Sequence, residues 1–142
     1  MKYLVLLLIT TVLYAGNFKR DNDKEVVIDY KTKLMWMDHA DTVKLRMSHK
    51  KAVPYCEGLS HIGYSNWRIP TIEEFTTIVD KKNHPLYINK SFKYNVPTGY
   101  WALKAHIRTF WFYADYMNFV SGTQYFDNRN KDKFIRCVRD IE

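Results

Sequence analysis

Two short stretches of alternating basic residues are the first candidates for binding chemistry in this chain. Residues 104–108 and residues 129–133 each carry a basic side chain at every second position. Alternate residues of a strand point to the same face, so each stretch could present its cations together. If the two stretches are adjacent, they predict a cationic patch; the alternative is an ordinary solvated surface. The residues concerned are Lys104, His106, Arg108, Arg129, Lys131 and Lys133.

Arginine and aromatic side chains indicate which ligand such a patch would take. The planar guanidinium fork donates two parallel hydrogen bonds, which suits sulfate or carboxylate groups. Trp111 and Tyr113 would share one strand face and Phe110 and Phe112 the other, with Tyr116 a further candidate. Aromatic rings stack on sugar C–H groups, so Trp111 and Tyr113 join the predicted ligand-binding residues. The alternative is that both faces of this strand are covered.

Catalytic and metal-binding patterns have little support. The five histidines lack metal-ligand spacing, and no G-x-S-x-G sequence is present. Glu73 and Glu74 are adjacent, so on a helix they point about 100° apart and make a poor acid–base pair. A calcium-loop pattern begins at Asn128 but fails at Lys133 and Arg139. We therefore predict no enzymatic activity, metal or cofactor.

The N-terminus predicts export. Residues 1–15 combine Lys2, an apolar run and a small Ala15, which is typical of a cleaved signal peptide. The apolar run is shorter than the roughly 20 residues of a spanning helix, so we expect no stable membrane insertion after cleavage. Cleavage lowers the net charge from +7 to +6. Secretion or periplasmic location disfavours nucleic acid and favours an anionic polysaccharide or an envelope protein as partner.

Cysteine content agrees with that compartment. The chain has two cysteines, Cys56 and Cys137, which in an oxidising environment most simply form one disulfide. The alternative is a reactive thiol, although no C-x-x-C motif is present.

The order of predicted strands and helices indicates one α+β domain over residues 25–140. We expect residues 16–24, which are polar, to form a flexible lead-in to this domain. Residues 26–28 and 34–37 predict a hairpin. Residues 48–62 have helical periodicity, but Pro54 favours a start near Val53. Period-two patterns predict strands at residues 100–103, 109–115, 122–126 and 134–138.

A second helix is predicted from a capping box. Thr71 and Glu74 can each bond the other's backbone amide at a helix start. Trp67, Arg68 and Pro70 directly precede this cap, and Trp36 and Trp101 lie within apolar strands. A Trp–Arg pair could form a sugar or anion site, but this context favours structural roles for all of these residues.

Five ordered blocks over about residues 25–139 resemble the Lcl C-terminal domain family of exported bacterial proteins. Lys33 replaces a turn glycine of that family, and Ala102-Leu103 replaces a small hydroxyl pair. The blocks are Asp29-x-x-Thr32-x-Leu34-Met35-Trp36, Ala52-x-x-Tyr55-Cys56-x-x-Leu59, Trp67-Arg68-Ile69-Pro70-Thr71, Tyr100-Trp101 and Phe134-Ile135-Arg136-Cys137-Val138-Arg139.

The resemblance implies a C-type-lectin-like fold, with two helices packed on short antiparallel sheets and a distant similarity to formylglycine-generating enzymes. It also implies recognition of sulfated glycosaminoglycan-like polysaccharides. We therefore expect a non-enzymatic domain that binds an acidic or sulfated polysaccharide. The alternative is a protein-interaction or structural subunit of a cell-envelope assembly.

Overall fold

The computed structural model describes residues 17–108 and 111–141, with Arg108 and Trp111 described by their backbone alone. The predicted signal peptide over residues 1–15 lies outside the described residues. The helices are α1 (His49–Glu57) and α2 (Ile72–Thr77), and a short 3₁₀ helix covers Ala40–Val43. The strands are β1 (Phe18–Asp21), β2 (Val26–Asp29), β3 (Leu34–Met37), β4 (Arg46–Met47), β5 (Gly99–Arg108), β6 (Trp111–Asn118), β7 (Thr123–Asn128), β8 (Lys133–Phe134) and β9 (Val138–Asp140).

The described strands form two sheets, which confirms the α+β class. One sheet has the order β1-β2-β3-β9 and is antiparallel throughout. The other has the order β4-β8-β5-β6-β7, in which only the pairing of β5 with β8 is parallel among the described strands. Strands β5 and β6 carry four of the predicted binding residues, Arg129 and Lys131 follow β7, and Lys133 begins β8.

The predicted β2–β3 hairpin is confirmed, with Val27 opposite Trp36. Lys33 in its turn has a φ of 57°, a left-handed conformation that favours glycine. The Asp29 carboxylate stabilises the turn by accepting hydrogen bonds from Lys31 N at 3.0 Å and from Thr32 Oγ1 at 2.6 Å. These bonds hold the turn in which Lys33 adopts this conformation.

The flexible lead-in predicted at residues 16–24 is wrong at β1, which pairs along the whole of β2. A sheet-edge strand needs only one packed face, so its sequence can be largely polar. Phe18 supplies the apolar contact, with its ring centroid 6.5 Å from that of Phe92. Arg20 donates to the buried Asp38 at 2.6 Å.

Helix α1 begins at His49 rather than near Val53, so Pro54 lies inside it. Proline cannot donate to the carbonyl four residues earlier, at Lys50. Both residues are exposed, so water can solvate the unpaired carbonyl. In α2 the capping box between Thr71 and Glu74 is present, with both reciprocal bonds formed.

The strand predicted at residues 134–138 is instead divided between the two sheets, as β8 and β9. Between them, Arg136 is fully buried and Cys137 lies at 1% exposure. The guanidinium of Arg136 donates to the carbonyl of Met37 at 2.7 Å. This segment therefore anchors the two sheets to each other instead of continuing one ladder.

The two helices pack on opposite faces of the β5–β6 pair. On one face, the His49 ring of α1 lies 5.4 Å from Trp101. We call this the α1 face; strand pairing and alternation place on it Trp101, Phe112, Ala114, Tyr116 and Tyr125. On the other face, the Phe75 ring of α2 lies 6.4 Å from that of Tyr100. We call this the α2 face; strand pairing and alternation place on it Tyr100, His106, Tyr113, Asp115, Gln124 and Phe126.

Candidate functional site

The tryptophans of the sequence motifs lie in the core. Trp36, Trp67 and Trp101 have exposures of 0%, 1% and 0%. Pro70 is buried as well, and its carbonyl accepts from Leu103 N at 2.9 Å. These side chains hold the sheets and α2 together and offer no surface for a ligand.

Arg68 has its anion-binding fork occupied by the protein itself. Both terminal nitrogens donate to the Glu74 carboxylate at 2.6 Å, and one also donates to Asp140 at 3.1 Å. The hydrogen bond to Glu74 raises the pKa of Arg68. Burial works to raise the pKa of Glu74, but the bonds from Arg68 and the Thr71 amide outweigh it and lower that pKa. Arg68 therefore fixes the start of α2.

The predicted disulfide is confirmed. Cys56 of α1 is bonded to Cys137, with the two Cα atoms 5.7 Å apart. The bridge joins α1 to the segment between β8 and β9. An intramolecular disulfide is compatible with an oxidising compartment.

Lys104 and His106 of the first basic stretch lie on the opposite face of the sheet from Arg129 of the second, so these residues do not form the single patch that was predicted. His106 lies opposite Tyr113 on the α2 face, and Lys104 lines a groove there with Asp115. On the α1 face the Arg129 guanidinium lies 4.4 Å from the centre of the Phe112 ring. Residues paired across neighbouring strands share a face, and this pairing separates the stretches.

An aromatic ladder crosses the α1 face. Trp101, Tyr116 and Tyr125 are paired across β5, β6 and β7, with ring centroids 6.3 Å and 5.7 Å apart. The Lys133 ammonium lies 4.0 Å from the centre of the Tyr116 ring, a cation–π contact. Lys133 is 14% exposed and contributes to packing more than to a binding surface.

Asp127 balances part of the positive charge on this face. Its two oxygens lie 3.1 Å from Lys131 Nζ and 3.0 Å from Lys133 Nζ. Burial works to raise the pKa of Asp127, but the bonds from Lys133 and Lys131 outweigh it and lower that pKa. Arg129 has no such carboxylate partner among the described residues. Together with Lys131, which is 64% exposed, it leaves a surplus of positive charge that faces solvent.

Helix α1 begins beside this surplus. The His49 amide donates to the Arg129 carbonyl at 3.0 Å, so the first turn of the helix starts at the end of β7. Lys50 and Lys51 in that turn are exposed. The α1 face thus combines a half-exposed Phe112 ring with several outward-facing cations.

His49 should make the stability of the domain depend on pH. Burial lowers the pKa of its imidazole below 6.5, and the Arg129 charge acts in the same direction, while the Ala102 carbonyl bond and Asp115 oppose them. The folded protein then binds fewer protons than the unfolded chain, so stability is complete above about pH 6.5 and falls as the pH drops below it.

Urea unfolding at several values from about pH 8 to about pH 5 measures this effect. His49→Gln keeps a donor for the Ala102 carbonyl, which accepts from His49 Nε2 at 2.8 Å, but cannot titrate. We expect a flatter pH profile for this variant. A profile identical to that of the unaltered protein would contradict the assignment.

A groove on the α2 face was not anticipated from the sequence. Two adjoining depressions of about 430 Å³ and 420 Å³ share Lys104, Asp115 and Gln124. Thr71, Ile72 and Glu73 at the start of α2 line one end. His106 and Phe126 line the other end. Period-two alternation in β7 would have placed Gln124 and Phe126 on one face, but only the pairing of β6 with β7 adds Asp115 to it.

The remaining predicted residues lie near this groove at the strand ends. The Tyr113 ring centroid is 5.3 Å from that of Phe126 and 6.1 Å from that of His106. Arg108 and Trp111 are paired across β5 and β6, but their side chains are outside the described part of the structure.

Membrane-spanning helices and clusters of metal-binding side chains are both absent from the described residues. Within residues 17–108 and 111–141, no helix has the length and apolar character needed to cross a membrane. In the same ranges, no three histidine, cysteine, aspartate or glutamate side chains lie together where they could hold a metal ion.

Comparison with known proteins identifies a family. The family model described as the Lcl C-terminal domain matches residues 25–139. No curated protein matches the chain significantly. No solved structure does so either.

Proposed function

Because the chain belongs to the Lcl C-terminal domain family, we propose that it is an exported, non-enzymatic domain whose α1 face binds an anionic polysaccharide. The proposal includes a C-type-lectin-like arrangement, which two helices on opposite faces of one sheet support. The disulfide supports export, since such bonds persist in oxidising compartments.

The observation that carries the proposal is the placement of Arg129 over the Phe112 ring, with the exposed Lys131 two residues further along the chain. Phe112 is 44% exposed, so its ring offers an apolar surface to sugar C–H groups. The Arg129 guanidinium packs on that ring at 4.4 Å, which holds the fork at the surface. A sulfate or carboxylate bound there would meet two cations while its sugar ring meets the aromatic surface.

Heparin serves as a polyanionic probe of this site. We expect the double variant Arg129→Glu/Lys131→Glu to bind heparin about tenfold or more weakly, since each lost charged hydrogen bond costs about 1.5–3 kcal/mol. Its affinity should also depend less steeply on salt. Isothermal titration at several salt concentrations measures both. Lys133 stays unchanged in this design because its ammonium packs against Tyr116 and Trp101.

The matched control is Lys31→Glu/Lys81→Glu, which makes the same change in net charge at exposed positions outside the α1 face. We expect this control to retain most of the affinity. Equal losses in the two double variants would mean that net charge, and not this site, governs heparin binding.

A second candidate function is a protein-interaction subunit of an envelope assembly. Two large apolar side chains paired across β5 and β6 are exposed, Ile107 at 67% and Phe112 at 44%. Exposed apolar groups on a small domain often mark a protein contact. A glycan array without binding, together with a protein that co-purifies stably, would favour this function.

A further inference from the structure

We propose that the groove on the α2 face is a separate subsite for one uncharged sugar ring. This inference goes beyond polyanion binding at the α1 face, because it concerns the opposite face of the sheet and a ligand without charge. The volume of about 430 Å³ falls in the roughly 300–1,000 Å³ range of small-molecule pockets.

Asp115 is the polar centre of the groove. The residue is 7% exposed, yet among the described residues no donor lies within hydrogen-bonding distance of its carboxylate. The His106 imidazole lies beside it, with Nδ1 3.7 Å from Oδ1. The side chain lines both depressions, and its oxygens stay accessible to solvent in the groove. A ligand hydroxyl placed in the groove would supply the missing donor.

Gln124 and Lys104 complete a set of groups suited to neighbouring hydroxyls. Both residues line the two depressions together with Asp115. The amide of Gln124 donates and accepts, the ammonium of Lys104 donates, and the carboxylate of Asp115 accepts. A sugar hydroxyl also donates and accepts, so adjacent hydroxyls on one ring can satisfy these groups together.

Phe126 supplies an apolar wall for the same ring. It is 49% exposed even though its ring packs edge-on against Tyr113 at 5.3 Å and against His106 at 5.8 Å. These contacts fix the orientation of the phenyl ring, and an oriented aromatic face stacks on the C–H face of a sugar. The groove thus offers an aromatic wall beside hydrogen-bonding groups.

The charge of the groove distinguishes it from the α1 face. Among the described lining residues, the ammonium of Lys104 faces the carboxylates of Asp115 and Glu73, so these charged groups carry no positive surplus. Repulsion from two carboxylates disfavours a sulfate or uronate group in this groove. The chemistry therefore selects an uncharged ring.

Amide-resolved NMR titration of the full chain tests this subsite. The probes are methyl glycosides of common hexoses and N-acetylhexosamines, each at millimolar concentrations. At least one probe should cause saturable shifts centred on the amides of Asp115, Gln124 and Phe126. An absence of saturable shifts with all probes would overturn the inference. Shifts in the groove from heparin, without any from the uncharged probes, would overturn it as well.

Variants then assign the binding to the groove. Asp115→Asn and Phe126→Ala should each weaken the responding glycoside about tenfold, the value of one strong polar or stacking contact. Gln124→Ala tests the same groove at an exposed position where folding is not at risk. Arg129→Glu/Lys131→Glu should leave glycoside affinity within about twofold while it loses heparin binding. If the groove variants bind the glycoside as tightly as the unaltered protein, the proposed subsite is wrong. The proposal of polyanion binding at the α1 face would not be affected by that result.

Discussion

Replacing Arg136 by methionine should lower the free energy of unfolding by about 3–5 kcal/mol, the usual cost of breaking a buried ion pair from one side. The side chains of Arg136 and Asp38 are both 0% exposed, and Nη1 of Arg136 lies 3.2 Å from Oδ1 of Asp38. Urea unfolding followed by circular dichroism measures the loss.

The size of this effect follows from the number of groups that share the guanidinium. Nη1 donates to the Met37 carbonyl at 2.7 Å, and Nη2 donates to the Tyr94 carbonyl and to Asn95 Oδ1. The Phe92 ring packs 4.9 Å from the guanidinium carbon. Methionine fills the volume but donates to none of these acceptors, and the buried Asp38 carboxylate then keeps only Arg20 as an ionic partner.

Arg46→Met is the matched control, because Arg46 is exposed and packs on the Phe134 ring. We expect it to change stability by less than about 1 kcal/mol. Arg136→Lys should recover only part of the loss, since an ammonium lacks the planar fork. A loss below about 1 kcal/mol for Arg136→Met would show that the ion pair does not stabilise the fold.

Removing the disulfide with Cys56→Ala/Cys137→Ala should cost roughly 4 kcal/mol by the chain-entropy relation. The bridge closes a separation of 81 residues, which strongly restricts the unfolded chain. Urea unfolding of the double variant, compared with the oxidised protein, measures the difference.

Reduction of the unaltered protein with dithiothreitol provides the control for this prediction. The reduced protein and the double alanine variant should unfold at similar urea concentrations, because both lack the same cross-link. Equal stability of the oxidised and reduced forms would contradict the prediction. Two thiols detected in the denatured, unreduced protein would contradict the bridge itself.

Local patterns predicted several elements well. The capping box needs only Thr71 and Glu74 three residues apart, so neighbouring residues determine it. The β2–β3 hairpin likewise depends on two apolar runs and a short turn. The disulfide followed from the count of cysteines, which left one intramolecular pairing.

Other elements were beyond local patterns. Strand β1 is polar in sequence and is stabilised by pairing with β2, which the lead-in composition does not reveal. Helix α1 can include Pro54 because the Lys50 carbonyl, which Pro54 leaves without a hydrogen bond, belongs to an exposed residue. Tertiary packing decides that exposure, so the sequence alone could not predict where the helix starts. The division of β8 from β9 follows from the burial of Arg136 between two sheets.

By itself, the sequence determined the α+β class and the cap of α2, and it predicted which side chains could bind an anion. These properties depend on residue types and short-range spacing. Only the tertiary structure decided that Arg129 and Lys131 lie on one face of the sheet and Lys104 on the other. Strand pairing sets which residues share a face, and the bulge in β5 between Trp101 and Ala105 shifts that register. For the same reason the groove around Asp115 exists only once β5, β6, β7 and α2 are packed together.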